Sequence, residues 1–210
     1  MSTPSDREPS LLSAAAFAVT DVGFFQWDAN HNADILTVSS SGLGLAWGPR
    51  KPRNKDAYYP PSWVTAATLA YMHSGQFQWD FVVEELAGGP IGVGFLLLWN
   101  TGPDWGFSGC FGESSTAWSF NPVTGDIVRG AQSIQGGLPT FPAGKGGTVT
   151  VRLDLPRDTE GAAWFAVNGT ASEPIYLPHG AVIMPAACLM KEGQKITLAD
   201  LWEEPSQGTG

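Results

Sequence analysis

The sequence predicts an all-β protein built as a two-sheet antiparallel β-sandwich. Apolar residues alternate with polar or small ones through Phe77–Val83, Ile91–Trp99 and Val149–Leu155. That period of two buries one face of a strand. Each run stops at Gly, Pro, Asn or Asp, the residues that turn a chain back on itself. The 26 Gly and 16 Pro are spread along 210 residues, which suits many short turns and not a low-complexity segment.

Taken in order, residues 1–12 read as a polar tail and 13–204 as one domain without internal repeat or linker, followed by a second tail at 205–210. Phe17 to Trp27 is a candidate first strand, and Trp27 to Asp34 is turn-rich. Ile35 to Trp47 reads as two strands joined at Ser40-Ser41-Gly42. Gly48 to Pro61 is a loop, and Val64 to Met72 suits either a short helix or a strand. Phe77, Trp79, Phe81 and Val83 share one strand face, with Gln78, Asp80, Val82 and Glu84 on the other. Ala87-Gly88-Gly89-Pro90 is expected to make a hairpin to the next strand, whose inward set is Ile91, Val93, Phe95, Leu97 and Trp99. A Gly- and aromatic-rich loop runs from Asn100 to Gly112. A hairpin over Trp118–Arg129 turns at Asn121–Gly125, and a long loop covers Ala131 to Gly146. The strand at 149–155 alternates most regularly, and a strand from Trp164 to Val167 ends in an Asn168-Gly169 turn. Val182 to Met190 is apolar on both faces, as a central strand should be, and Ile196 to Trp202 closes the sheet.

Composition narrows the function classes. The apolar fraction of 43% suffices for a full core without a metal or disulfide staple. A net charge of -9 argues against a general nucleic-acid partner, because phosphate contacts need clustered Lys and Arg. The apolar run Leu11–Val19 is too short to span a bilayer and lacks a basic flank, so no membrane role is expected and a cytoplasmic setting is the default. Cys110 and Cys188 are far apart and read as small buried hydrophobes.

The motif order resembles the SPRY family. Its aromatic-rich W-E-V-E-V strand stands here as Gly75, Phe77 and Trp79-Asp80-Phe81-Val82-Val83-Glu84. An I-x-V-G strand follows as Ile91-Gly92-Val93-Gly94, then a hairpin from Trp118 to Ile127. The strand that usually opens Gly-Asp appears as Gly147-Thr148-Val149 to Leu153-Asp154, with Thr148 in place of the Asp. The F-x-x-N-G hairpin is Phe165-Ala166-Val167-Asn168-Gly169, and the closing element is Pro185-Ala186, Leu189, Gly193 and Ile196–Leu198. The resemblance covers roughly residues 17–202 and implies a concanavalin A-like jelly roll. It implies non-catalytic binding of a protein or peptide at a shallow surface made of loops, with no cofactor. The contact loops would be 48–63, 99–112 and 130–142.

Several residue sets are candidates for that surface or for rival chemistry. Arg50, Lys51, Arg53 and Lys55 fall within six positions and would favour an acidic segment in the ligand. Tyr58, Tyr59, Trp63, Trp105, Phe107 and Phe141 lie in expected loops, where large rings cap the core or meet a partner. The same rings suit stacking on sugars, so carbohydrate binding is an alternative. Asp80 and Glu84 share a strand face and are the candidate pair for a sandwich-fold glycosidase. A permanent structural place in a larger assembly is a further alternative. Asp28, Asn30, Asn32 and Asp34 offer oxygen at alternate positions, a spacing that can wrap calcium. The Gly and Glu of an EF-hand are replaced by Ala33 and Ser39, so a polar turn is the simpler reading. His31, His73 and His179 have no metal-ligand spacing, and no G-x-S-x-G elbow or phosphate loop is present.

Overall fold

Alternating side chains oblige each strand to hide one face, and two stacked sheets are the arrangement that hides all of them at once. The computed structural model describes residues 25–29, 35–48, 63–98, 115–142 and 144–204. Its strands are β1 (Leu36–Val38), β2 (Gly44–Trp47), β3 (Val64–Ala67), β4 (Gly75–Glu85), β5 (Gly92–Leu97), β6 (Ala117–Asn121) and β7 (Asp126–Arg129). They continue as β8 (Gln132–Gln135), β9 (Gly147–Leu155), β10 (Gly161–Val167), β11 (Thr170–Ala171), β12 (Ile175–Leu177), β13 (Ile183–Leu189) and β14 (Lys195–Glu204). An eight-stranded sheet has the order β1-β2-β14-β4-β9-β10-β11, with β12 also on β10, and a six-stranded sheet has the order β3-β13-β5-β6-β7-β8. All pairings are antiparallel, and there is no helix among the described residues.

The core lies between the sheets. Phe165 from β10 stacks on Phe95 from β5 at 5.8 Å, and Phe95 stacks on Trp118 of β6 at 5.2 Å. Phe120 closes the group at 6.3 Å from Phe165. Farther along, Trp79 meets Phe81 edge-on at 6.3 Å and Trp27 lies 6.3 Å from the same ring. Each such ring contributes about 1.5–3 kcal/mol by leaving water. Trp79, Phe81, Phe95, Trp118, Phe120 and Phe165 are all buried, as the alternation requires. Gly94 is fixed by close approach, since a Cβ there would collide with the Trp118 carbonyl oxygen.

Three expectations need correction or sharpening. Ala87–Pro90 does not make a hairpin: β4 pairs with β14 and β9, while β5 pairs with β13 and β6, so this turn carries the chain from one sheet to the other. It is held by Gln194, whose buried amide donates to the Leu86, Gly89 and Pro90 carbonyls and accepts from the Met190 and Lys191 N–H groups. Residues 64–72 resolve to strand β3 and an isolated bridge at Met72, because β13 supplies ladder partners that a helix would forgo. The long loop expected from 131 to 146 contains β8, which pairs with β7 although its side chains stay largely exposed. Finally, β11 and β12 are too short to show any period in sequence. The Asn168-Gly169 turn is as expected, with φ of 50° and 79°, the left-handed pair that a two-residue hairpin needs.

Candidate functional site

The two sheets differ on their outer faces. On the six-stranded sheet, Ala67, Leu96, Ala117, Met184, Ala186 and Cys188 form a second apolar cluster that is buried too, with Trp63 and Leu98 packed against it. Among the described residues the outer face of the eight-stranded sheet is only half-buried, with Arg152, Tyr176 and Trp202 exposed. Register places three rows across it. The first is Ala199, Asp80, Thr150 and Ala166; the second is Trp202, Gln78, Arg152 and Trp164; the third is Gln76, Asp154, Ala162 and Tyr176.

The middle row is a platform of aromatic rings and a guanidinium. The Arg152 guanidinium lies 5.9 Å from the Trp164 ring centroid, within reach of a cation–π contact. Trp202 is 48% exposed and Tyr176, diagonal to Trp164, is 71% exposed. Strands about 4.8 Å apart put the backbones under Trp202 and Trp164 about 14 Å from each other. Leu69, Tyr71, Val123 and Ile134 are also exposed, but none of them lies in these rows.

Trp202 reaches this face through a bulge. Ala199 opposes Asp80 and Trp202 opposes Gln78, so β14 carries one residue more than β4 over the same span. Asp200 takes up the extra length at φ 51°. Strict alternation from Ile196 and Leu198, both buried, would turn Trp202 inward; the bulge turns it out and leaves Leu201 packed against the core.

Polar groups flank the rings. Thr150 Oγ1 donates to Asp80 Oδ1 at 2.6 Å, and Thr197 Oγ1 donates to Glu84 Oε1. Partial burial pushes the Asp80 carboxyl above the ordinary aspartate range, the Thr150 hydroxyl pulls it back, and the like charge of Asp200 adds to the rise.

The structure separates the sequence-nominated residues. Asp80 and Glu84 do share a face, but four residues of strand place them about 13 Å apart. Paired glycosidase carboxylates stand about 5–5.5 Å or 6.5–9.5 Å apart, so this pair does not fit. Phe141 is not a surface ring: it is buried in the main core, and a Cβ on Gly147 would strike it. Trp63 is half-buried against the second cluster. Arg50, Lys51, Arg53, Lys55, Tyr58, Tyr59, Trp105 and Phe107 lie outside the described residues, as do Asn30, Asn32 and Asp34 of the calcium candidate and Cys110. Among the described residues no group of three His, Cys, Asp or Glu side chains is placed to hold a metal ion, and no helix is long and apolar enough to cross a membrane. Trp164 was legible as outward, since it alternates against Phe165; Tyr176 and Trp202 were not.

No protein-family model matches the chain, and no curated protein matches it in sequence. Solved structures do match in fold. The SPRY domain of human HERC1 superposes with a TM-score of 0.53 at 17% identity, covering 83% of this chain and 94% of that one. The TRIM65 PSpry domain gives a TM-score of 0.60 at 11% identity, covering 83% of this chain and 88% of that one. A further human SPRY domain gives 0.52 at 12% identity, covering 79% and 94%.

Proposed function

The chain has the fold of SPRY domains, and from that premise we propose that it recognises another protein without chemical change to it. The observation that carries the proposal is the platform Trp202–Gln78–Arg152–Trp164 with Tyr176 beside it, on the outer face of the eight-stranded sheet. Trp, Tyr and Arg supply most anchor energy at interfaces, because a rigid ring buries large area at little entropic cost. A pleated sheet holds such side chains at fixed spacing before a partner arrives, which lowers the cost of binding. Loops 48–63 and 99–112, nominated by the sequence, are a second surface for the same role. The basic cluster Arg50–Lys55 would serve an acidic ligand segment there. A cytoplasmic setting belongs to the same proposal.

Peptides selected from a random displayed library against the whole chain test the assignment. Affinity for the selected peptides should fall about tenfold or more with Trp202→Ala. It should hold with Val123→Ala, which removes an exposed apolar residue elsewhere. Equal affinity for wild type and Trp202→Ala would remove the platform from the interface.

A further inference from the structure

We infer that the Trp202 end of the platform seats a cationic side chain, lysine or arginine, from an extended segment of the partner. This inference rests on the proposed role of the sheet face in recognition. It goes further by naming the chemistry of the ligand, and for this face it reverses the acidic preference suggested by the Arg50–Lys55 cluster.

Charge complementarity carries the argument. Asp80 on β4 is one alternation from Gln78, the cross-strand partner of Trp202, and so lies diagonal to the Trp202 ring. Asp200, exposed at the bulge of β14, lies close enough for its charge to act on Asp80. An aromatic face beside two carboxylates is a site for a cation: the ring quadrupole attracts it, and its charge relieves the repulsion between the two acids. Arg152 is the one cation in the three rows, and it is engaged with Trp164. That contact shows the platform's own rings accepting a guanidinium. Asp154, in the third row, gives a third carboxylate to a partner chain running across the strands. The groups that face Asp80 are Asp200 from β14, Thr150 and Arg152 from β9, and Glu84 farther along β4, where Thr197 already donates to it.

The test uses the whole chain and two synthetic peptides, one with a central arginine and the other with neutral citrulline in its place. The readout is the shift of the Trp202 indole N–H signal on titration. The arginine peptide should bind about fivefold or more tightly than the citrulline peptide. The Asp80→Asn/Asp200→Asn double variant should lower the arginine peptide to the citrulline level and leave the citrulline peptide unchanged. Equal affinity for the two peptides, no effect of the double variant, or no saturable shift with either would overturn the cation seat. Loss of the platform itself has a different signature: binding of both peptides, followed in that variant by the Trp164 indole N–H signal, that is indifferent to Trp202→Ala.

Discussion

The two sheets of this sandwich are built from the same kind of strand and end in opposite roles. In the six-stranded sheet, β5 and β13 are buried at every position, and the outward residues are Ala, Met, Leu and Cys. In the eight-stranded sheet, β4, β9 and β10 alternate, and the outward residues are mostly Gln, Asp, Glu, Thr, Arg and Trp, with Val82, Ala162 and Ala166 among them. Small, uniformly apolar strands belong to the interior of an assembly of layers, whereas alternation marks a face left to solvent or to a partner. The aromatic residues of this outer face then stand out, because nothing in the core needs them there.

The largest expected effect breaks this contrast from the buried side. Ala186→Glu puts an unpaired carboxylate into the second apolar cluster and should cost at least about 4 kcal/mol. Thr148→Glu, on the outer face of the eight-stranded sheet, should change stability by no more than about 0.5 kcal/mol. Urea denaturation of both checks the pair; similar losses would mean that the two outer faces are not different in kind.

Next is the turn that joins the sheets. Gln194→Ala strands carbonyls of Leu86, Gly89 and Pro90 together with two N–H groups, and should cost about 3 kcal/mol by the same measurement. A loss below about 1 kcal/mol would show that the turn holds by itself.

Two core tryptophans sharpen the comparison at finer scale. Trp27 Nε1 donates to the Leu43 carbonyl at 2.7 Å, whereas Trp79 Nε1 is buried without a hydrogen-bond partner among the described residues. Trp27→Phe should therefore cost about 1–2 kcal/mol more than Trp79→Phe, since the first gives up a hydrogen bond to the Leu43 carbonyl, which keeps only the Leu198 N–H, and the second removes an unsatisfied donor. Equal midpoints in thermal unfolding would contradict this.

The smallest effect is electrostatic. The Asp80 carboxyl titrates higher in the folded chain than in the unfolded one, so the folded state holds the extra proton between those two values. Stability then falls as pH rises through that window, and the ionised form at neutral pH is the less favourable one. Asp80→Asn should be as stable as wild type or more so at pH 7, and that advantage should fade as pH drops into the ordinary aspartate range. A variant less stable at pH 7 would show that the Thr150 bond needs the charge.

Much of the fold was legible because alternation is a direct image of burial. Val149–Leu155 and Phe77–Val83 gave their strands and their inward faces without ambiguity. The Asn168-Gly169 turn was legible because two adjacent left-handed residues restrict what can stand there. Pairing was not: Ala87–Pro90 looks like a hairpin locally, and only the whole arrangement of strands sends β5 to the other sheet. Trp202 was hidden by the bulge at Asp200, since alternation counted from Ile196 assigns it to the wrong face. Phe141 was misplaced for the opposite reason, as a loop residue turned into the core.

Mapping backbone amide shifts on the chain as it is titrated with a library-selected peptide tests the central claim most directly. The platform predicts shifts concentrated at the outward positions of β4, β9, β10 and β14, around Gln78, Arg152, Trp164 and Trp202. Shifts confined to residues 48–63 and 99–112, with those four strands silent, would contradict it.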